Sequence, residues 1–114
     1  MLEVCIPIKG FSGNHRNSRA KNGHYYNNQK YKDFKEIVGW YIKAWWPKKD
    51  LIKGNISAEF TYGFKDNRKH DLDDCNKALW DTLNGLIWED DNQIDDEHSR
   101  KVHSENDFIK IKIL

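Results

Sequence analysis

Two kinds of apolar spacing alternate along this chain and limit the folds that it can adopt. Apolar residues recur at every second position in residues 2–8, 55–64 and 108–114, which predicts strands with one buried face. They recur at spacings of three and four in residues 28–46 and again from Leu72 to Leu86, which predicts two amphipathic helices. Residues 94–102 predict a further strand, which we expect to pair with the last one. This order of elements predicts an α+β fold, a mixed β-sheet with two main helices on one face.

The size and composition of the chain exclude several classes of protein. With 114 residues we expect a single small domain covering residues 1–114. No run of about 18 apolar residues is present, so we expect no membrane-spanning segment. Cys5 and Cys75 have no repeated spacing and no signal-like apolar run precedes them, which predicts free thiols, each a small buried residue, in a cytoplasmic protein.

Positive and negative charges are divided along the chain, although the formal net charge is only +1. Residues 1–70 contain 14 Lys and Arg against 6 Asp and Glu, whereas residues 71–114 contain 5 against 12. Such an asymmetry is typical of a basic surface for a polyanion beside an acidic pocket that holds cations. The alternative is that the two halves only attract each other in the fold.

The acidic half begins with a motif that has the composition of a metal-dependent phosphodiester-cleaving site. Asp71 and Asp73 are two residues apart, so they share one side of an extended segment and could bind one hard cation if they precede the helix. Asp73 or Asp74 could cap that helix. Lys77, one turn further, could neutralise charge that develops on a phosphate, or it could be an ordinary helical ion-pair partner.

A second acidic group, Glu89 to Asp91, follows the second predicted helix and could return to face Asp71 and Asp73. Several carboxylates brought together at neutral pH repel one another by several pKa units unless a cation is bound. We therefore expect Mg²⁺, with Mn²⁺ as a possible substitute. Runs of charge are usually solvated surface, and Asp95 to Glu97 are most simply interpreted in that way.

The order of these motifs is more specific than any one of them. D-L-D-x-x-x-K, followed after a helix by W-x-D-D-x-Q-I and later by Lys101, resembles the RusA family of Holliday junction resolvases. The resemblance extends over most of the chain, although only its centre is specific. It implies a RusA-like fold in a bacterial or phage-encoded homodimer that binds four-way junction DNA and, with Mg²⁺, nicks two opposing strands symmetrically.

The same resemblance assigns roles to individual positions. The implied metal ligands are Asp71, Asp73 and Asp91, with Asp90 as a weaker candidate, and the implied catalytic lysine is Lys77. Where the family usually has asparagine after the second aspartate, this chain has Asp74, which adds negative charge to the site.

Basic residues on both sides of the first helix complete the expected DNA-binding surface. They would contact backbone phosphates, so that affinity falls steeply with salt. These residues are Arg16, Arg19, Lys21, Lys65, Arg68 and Lys69. Two other functions stay open: a non-catalytic junction-binding module with a degraded metal site, and a metal-dependent nuclease or phosphatase that acts on other substrates, such as other branched DNA.

Overall fold

The computed structural model describes residues 2–12, 28–47 and 50–114. The predicted α+β fold is confirmed. In chain order the elements are β1 (Leu2–Ile6), α1 (Asn28–Trp45), β2 (Ile56–Phe64), α2 (Leu72–Leu83), a short 3₁₀ turn (Asp91–Gln93), β3 (Ile94–His103) and β4 (Phe108–Ile113). β1 ends directly before Pro7, which lacks the N–H that a longer strand pairing would use.

The four strands form one mixed sheet in the order β1-β4-β2-β3. β4 is antiparallel to both of its neighbours, whereas β2 and β3 are parallel. The prediction that residues 94–102 pair with the last strand is therefore wrong. β4 has both of its edges occupied by β1 and β2, so β3 takes the free edge of β2 after the α2 crossover, as a parallel βαβ unit requires.

One face of the sheet carries the core. The alternate residues of β2 from Ile56 to Phe64 are buried, and they share one apolar cluster with the buried isoleucines of β4. Both helices contribute their apolar stripes to this cluster. Those residues are Phe34, Val38 and Ile42 of α1 and Cys75, Ala78, Leu79 and Leu83 of α2. Helices on one face of the sheet were predicted, and the shared cluster agrees with that arrangement.

β3 differs from the other strands because the residues on its helix-facing side are polar. Glu97, Ser99 and Lys101 pair in register with residues of β2 whose side chains are in the core. Paired residues of neighbouring strands direct their side chains to the same face. A row of polar groups therefore lies along the side of the sheet on which α2 packs.

The structure tests the predictions for the two cysteines and for a membrane-spanning segment within the described residues. Both thiols are free, as expected, but Cys5 is exposed and only Cys75 is buried. Cys5 lies on the other face of β1, because its paired residue is Lys110 rather than a core isoleucine. In the described part of the chain, neither helix is apolar enough over a sufficient length to cross a membrane.

Candidate active site

The amino-terminal end of α2 presents the first pair of carboxylates. Asp71 is the N-cap of the helix, with φ −78° and ψ 118°, and its side chain accepts a hydrogen bond of 3.0 Å from the backbone N–H of Asp73. The helix therefore begins at Leu72, before the cap that was expected at Asp73 or Asp74, and Asp73 lies in its first turn. The prediction of an extended conformation is correct for Asp71 and wrong for Asp73, because the Asp71 carboxylate satisfies the free amide first.

Two lysines lie at the same end of α2. Lys77 is exposed and follows Asp73 by one helical turn. Lys101 extends from β3 and donates a hydrogen bond of 2.5 Å to the carbonyl oxygen of His70. Burial raises the pKa of the neighbouring Cys75 thiol to about 12, and the positive charge of Lys101 opposes this shift, so Lys101 lies close to the start of the helix. The carboxylates at this end are thus accompanied by cationic groups from two elements.

His70 fixes the backbone that leads into the helix cap. Its ring is buried and stacks on Phe64, with 3.8 Å between ring centroids and 8° between planes. Nδ1 lies 2.9 Å from Ser12 Oγ and Nε2 lies 2.8 Å from Asp66 Oδ1. Two hydrogen bonds lower the pKa of Asp66 well below its usual range. The bond from Lys9 has the larger effect and the bond from His70 the smaller one. The residue preceding the cap is therefore held from three sides.

A buried polar network fixes α2 against the sheet beside Lys77. The hydroxyl of Tyr62 donates to Asn76 Oδ1 at 2.7 Å, and Asn76 Nδ2 donates to Ser99 Oγ at 2.9 Å. Ser99 in turn donates to the exposed carboxylate of Glu97. Burial raises the pKa of Tyr62 well above its usual value, so its hydroxyl stays a donor. Because a buried network constrains direction as well as distance, it defines the rotation of the helix.

Asp91 lies at the opposite end of α2. Its carboxylate accepts a hydrogen bond of 3.4 Å from Nδ2 of Asn84, which is the C-cap of the helix. A helix of 12 residues is about 18 Å long. Within one chain, Asp91 therefore does not face Asp71 and Asp73. Within the described ranges, no three Asp, Glu, His or Cys side chains lie close enough together to hold a metal ion.

The environment of Asp91 also differs from that of an exposed surface carboxylate. Partial burial raises its pKa, the hydrogen bond from Asn84 opposes this shift, and the neighbouring Asp90 and Asp81 add to it. Asp90 itself is exposed and caps the 3₁₀ turn, accepting from the backbone N–H of Asn92 at 3.1 Å. Asp90 thus has a local structural role, whereas the Asp91 carboxylate is held against the end of α2.

The other residues of the second motif belong to a scaffold that sequence reasoning did not identify. Trp88 is fully buried and donates its indole N–H to Asn84 Oδ1 at 2.7 Å. Gln93 Oε1 accepts from the backbone N–H groups of Glu89 and Asp90, and its Nε2 donates to the carbonyls of Ile52 and Gly54. The spacing W-x-D-D-x-Q was the signal that could have identified these hydrogen bonds, which hold the loop containing Asp91 in place.

The predicted DNA-contacting residues divide into two groups. Lys65, Arg68 and Lys69 are exposed in the turn between β2 and α2, immediately before Asp71. Arg16, Arg19 and Lys21 lie outside the residues that the structure describes.

The amino-terminal end of α2 has donors that suit a divalent cation. Mg²⁺ is usually held by one or two carboxylates together with water, and Asp71 and Asp73 supply two exposed carboxylates. Each Asp71 oxygen has more than one lone pair, so its capping bond leaves acceptor capacity for a cation.

Comparison with known proteins shows which family this chain resembles. Residues 7–114 match the family described as Endodeoxyribonuclease RusA. Over 85 residues the chain is 31% identical to the crossover junction endodeoxyribonuclease RusA of Aquifex aeolicus (strain VF5), an alignment that covers 68% of this chain and 67% of that relative. The family match includes both ends of α2 and every strand of the sheet except β1.

Proposed function

Because this chain belongs to the RusA family of endodeoxyribonucleases, we propose that it resolves four-way DNA junctions as a homodimer, by paired symmetric nicks with Mg²⁺. One observation carries the proposal beyond family membership. Asp71 and Asp73 are exposed at the start of α2, with Lys77 one turn further along the helix and Lys101 beside them on β3. Carboxylates for a hard cation and ammonium groups for a phosphate are what phosphodiester hydrolysis requires.

In this proposal Asp71, Asp73 and Asp91 hold the cation, for which Mn²⁺ can substitute. A bound divalent cation supplies charge that stabilises negative charge on the phosphate and makes water a better nucleophile. The local capping role of Asp90 favours Asp91 as the ligand of the two. Asp74 is half-buried next to this set and adds to its negative charge.

The lysines act on the substrate rather than on the cation. Lys77 is exposed and can donate to a non-bridging oxygen of the scissile phosphate, where negative charge increases during the reaction. The network around Asn76 keeps the helix from rotating, so Lys77 stays on the side of α2 that faces the DNA. Lys65, Arg68 and Lys69, with Arg16, Arg19 and Lys21, would contact flanking phosphates.

A second copy of the chain completes the site in this proposal. Asp91 lies about one helix length from Asp71 within one chain, so a single copy cannot place the three carboxylates on one cation. In a dimer with two-fold symmetry, each Asp91 end can meet the Asp71 end of the other copy, which gives two equivalent sites. Two sites related by symmetry also suit the two cuts that a four-way junction needs.

Cleavage of an end-labelled synthetic four-way junction tests the function directly. We expect nicks at symmetric positions in two opposing strands in Mg²⁺ or Mn²⁺, and no nicks in EDTA. A linear duplex of the same sequence should stay intact. Absence of cleavage together with absence of saturable Mg²⁺ binding in calorimetry would favour a non-catalytic junction-binding module, and equal cleavage of the linear duplex would show a less selective nuclease.

A further inference from the structure

A second feature of this region is a cleft at the carboxyl ends of β2 and β3. The cleft has a volume of about 300 Å³ and is bordered by the end of β2, the turn that follows it and the end of β3. Its lining includes Phe64, Asn67, Arg68, His70, Lys101 and His103. In parallel βαβ units, ligands bind outside the carboxyl ends of the strands, which is where this cleft lies.

The polar lining of the cleft is mainly cationic. Arg68 and Lys101 carry full positive charges, and His103 adds the hydrogen-bonding nitrogens of its ring. The carboxylate in the cleft, Asp66, is already matched because it accepts hydrogen bonds from Lys9 and lies against the ring of His70. Among the residues that the structure describes, no carboxylate lies within 4.0 Å of a side-chain nitrogen of Arg68, Lys101 or His103. The cleft therefore has a net positive charge that its own walls do not neutralise.

The cleft is connected to the candidate active site through a single peptide unit. Lys101 Nζ donates to the carbonyl oxygen of His70, and His70 is the residue directly before the Asp71 cap. An ammonium group has three donors, so Lys101 keeps two for another acceptor. A strand of DNA whose scissile phosphate lies at Asp71 would therefore lie close to a cationic cleft.

We propose that this cleft binds a backbone phosphate of the strand being cut, next to the scissile phosphate, with Arg68 and Lys101 as its donors and His103 at its rim. The site rests on the proposed endonuclease function, assigns Lys101 to a neighbouring phosphate and adds His103 to the DNA-contacting residues. It positions the strand, because a phosphate held here sets which phosphodiester bond lies beside Asp71 and Asp73.

The first test is the salt dependence of binding to an uncleaved four-way junction in Ca²⁺. Lys101→Met should weaken binding about tenfold at 0.1 M salt and lower the slope of log affinity against log salt by about one. Arg100→Met is a matched control, since Arg100 is the adjacent residue of β3 on the opposite face and its guanidinium lies 3.9 Å from Glu59. Arg100→Met should keep the slope of the parent protein and its affinity within twofold.

Arg68→Met provides a second variant in an exposed turn, in case Lys101→Met unfolds the protein. It should lower the slope by the same amount as Lys101→Met, with circular dichroism and melting temperature confirming the fold. If both variants match Arg100→Met, the cleft does not bind phosphate.

Junctions with one neutral methylphosphonate at successive positions beside the cut identify the phosphate. At one position the parent protein should lose affinity, and Lys101→Met should lose less there, because only the Arg68 contact remains to be removed. Equal loss for both proteins at every position would overturn the proposal. If the parent protein does not cleave junctions in Mg²⁺, the proposed function fails. If the parent protein cleaves them but Lys101→Met binds junctions with the parent's affinity, only the proposed phosphate site in the cleft is rejected.

Discussion

The two ends of α2 carry the two halves of the acidic motif in contrasting environments. At the amino-terminal end, Asp71 and Asp73 are exposed, two lysines lie near them, and the helix dipole favours negative charge. At the carboxyl-terminal end, Asp91 is partly buried beside Asn84, where the dipole opposes negative charge and the pKa of the carboxyl is raised. Because the two ends are about one helix length apart, the metal site that we propose uses carboxylates from two copies of the chain.

The largest effect should come from removing a carboxylate at either end. Asp73→Asn and Asp91→Asn should each reduce nicking in Mg²⁺ by about 10³-fold or more, because each removes a proposed cation ligand while keeping side-chain size. Junction binding in EDTA, measured by gel mobility, should change by less than threefold. Asp96→Asn, on the exposed outer side of β3, is the control and should nick normally. Retained cleavage in either variant would remove that residue from the site.

A smaller loss of rate is expected when the helix-borne cation is removed. Lys77→Met should lower kcat about 10²-fold with little change in KM, since its contact strengthens as charge develops on the phosphate. Single-turnover cleavage of a labelled junction gives both parameters. Lys110→Met, on the outer side of β4, serves as the matched lysine control. A rise in KM at constant kcat would instead indicate an ordinary DNA-binding contact.

The side-chain hydrogen bonds that hold the two ends of α2 should differ in their contribution to the stability of the protein. Asn76→Ala removes one buried and one part-buried hydrogen bond and leaves the Tyr62 hydroxyl without its acceptor, which should cost about 2 kcal/mol of unfolding free energy. Asn84→Ala removes the acceptor of the Trp88 indole at a less buried position and should cost about 1 kcal/mol. Urea denaturation measures both values. A larger loss for Asn84→Ala would mean that the carboxyl-terminal end is the better anchored one.

The smallest effect concerns the Asp66 carboxylate, which holds the ring of His70 in place directly before the start of α2. Its pKa is lowered by Lys9 first and by His70 second, so the ionised form stabilises the fold. That stabilisation is present above the ordinary pKa of 3.8 and is lost as the pH falls below it toward the lower folded value. Asp66→Asn should therefore lower the melting temperature at pH 5, and the difference from the parent protein should shrink below pH 3.8. A difference that is independent of pH would contradict this role, and Asp95→Asn provides an exposed control.

Much of the fold could be predicted from periodicity, and the exceptions have physical causes. The alternation of Ile109, Ile111 and Ile113 identified β4 because one of its faces is buried. The partner of β3 could not be predicted in that way, because the helix-facing side of β3 is polar and shows no apolar period. The cap of α2 was placed too late because Asp71, Asp73 and Asp74 can each cap a helix, and only the structure shows that Asp71 does so.

For the candidate site, the sequence indicated residue types but not their distances. Asp71, Asp73 and Lys77 could be placed together because they are separated by at most two helical turns. Asp91 could not, because the position of a carboxylate that follows a helix depends on the loop, which Gln93 ties to the segment containing Ile52 and Gly54. The spacing of a motif along a chain does not give its spacing in space.

Mixing two inactive variants tests most directly whether the two ends of α2 from different copies form one site. Asp73→Asn and Asp91→Asn proteins with different tags are allowed to exchange subunits, mixed dimers are purified through both tags, and cleavage of a labelled junction is measured in Mg²⁺. If the site is shared, each mixed dimer has one intact site and should nick one strand, although each parent variant is inactive. Mixed dimers that stay as inactive as their parents would contradict a shared site.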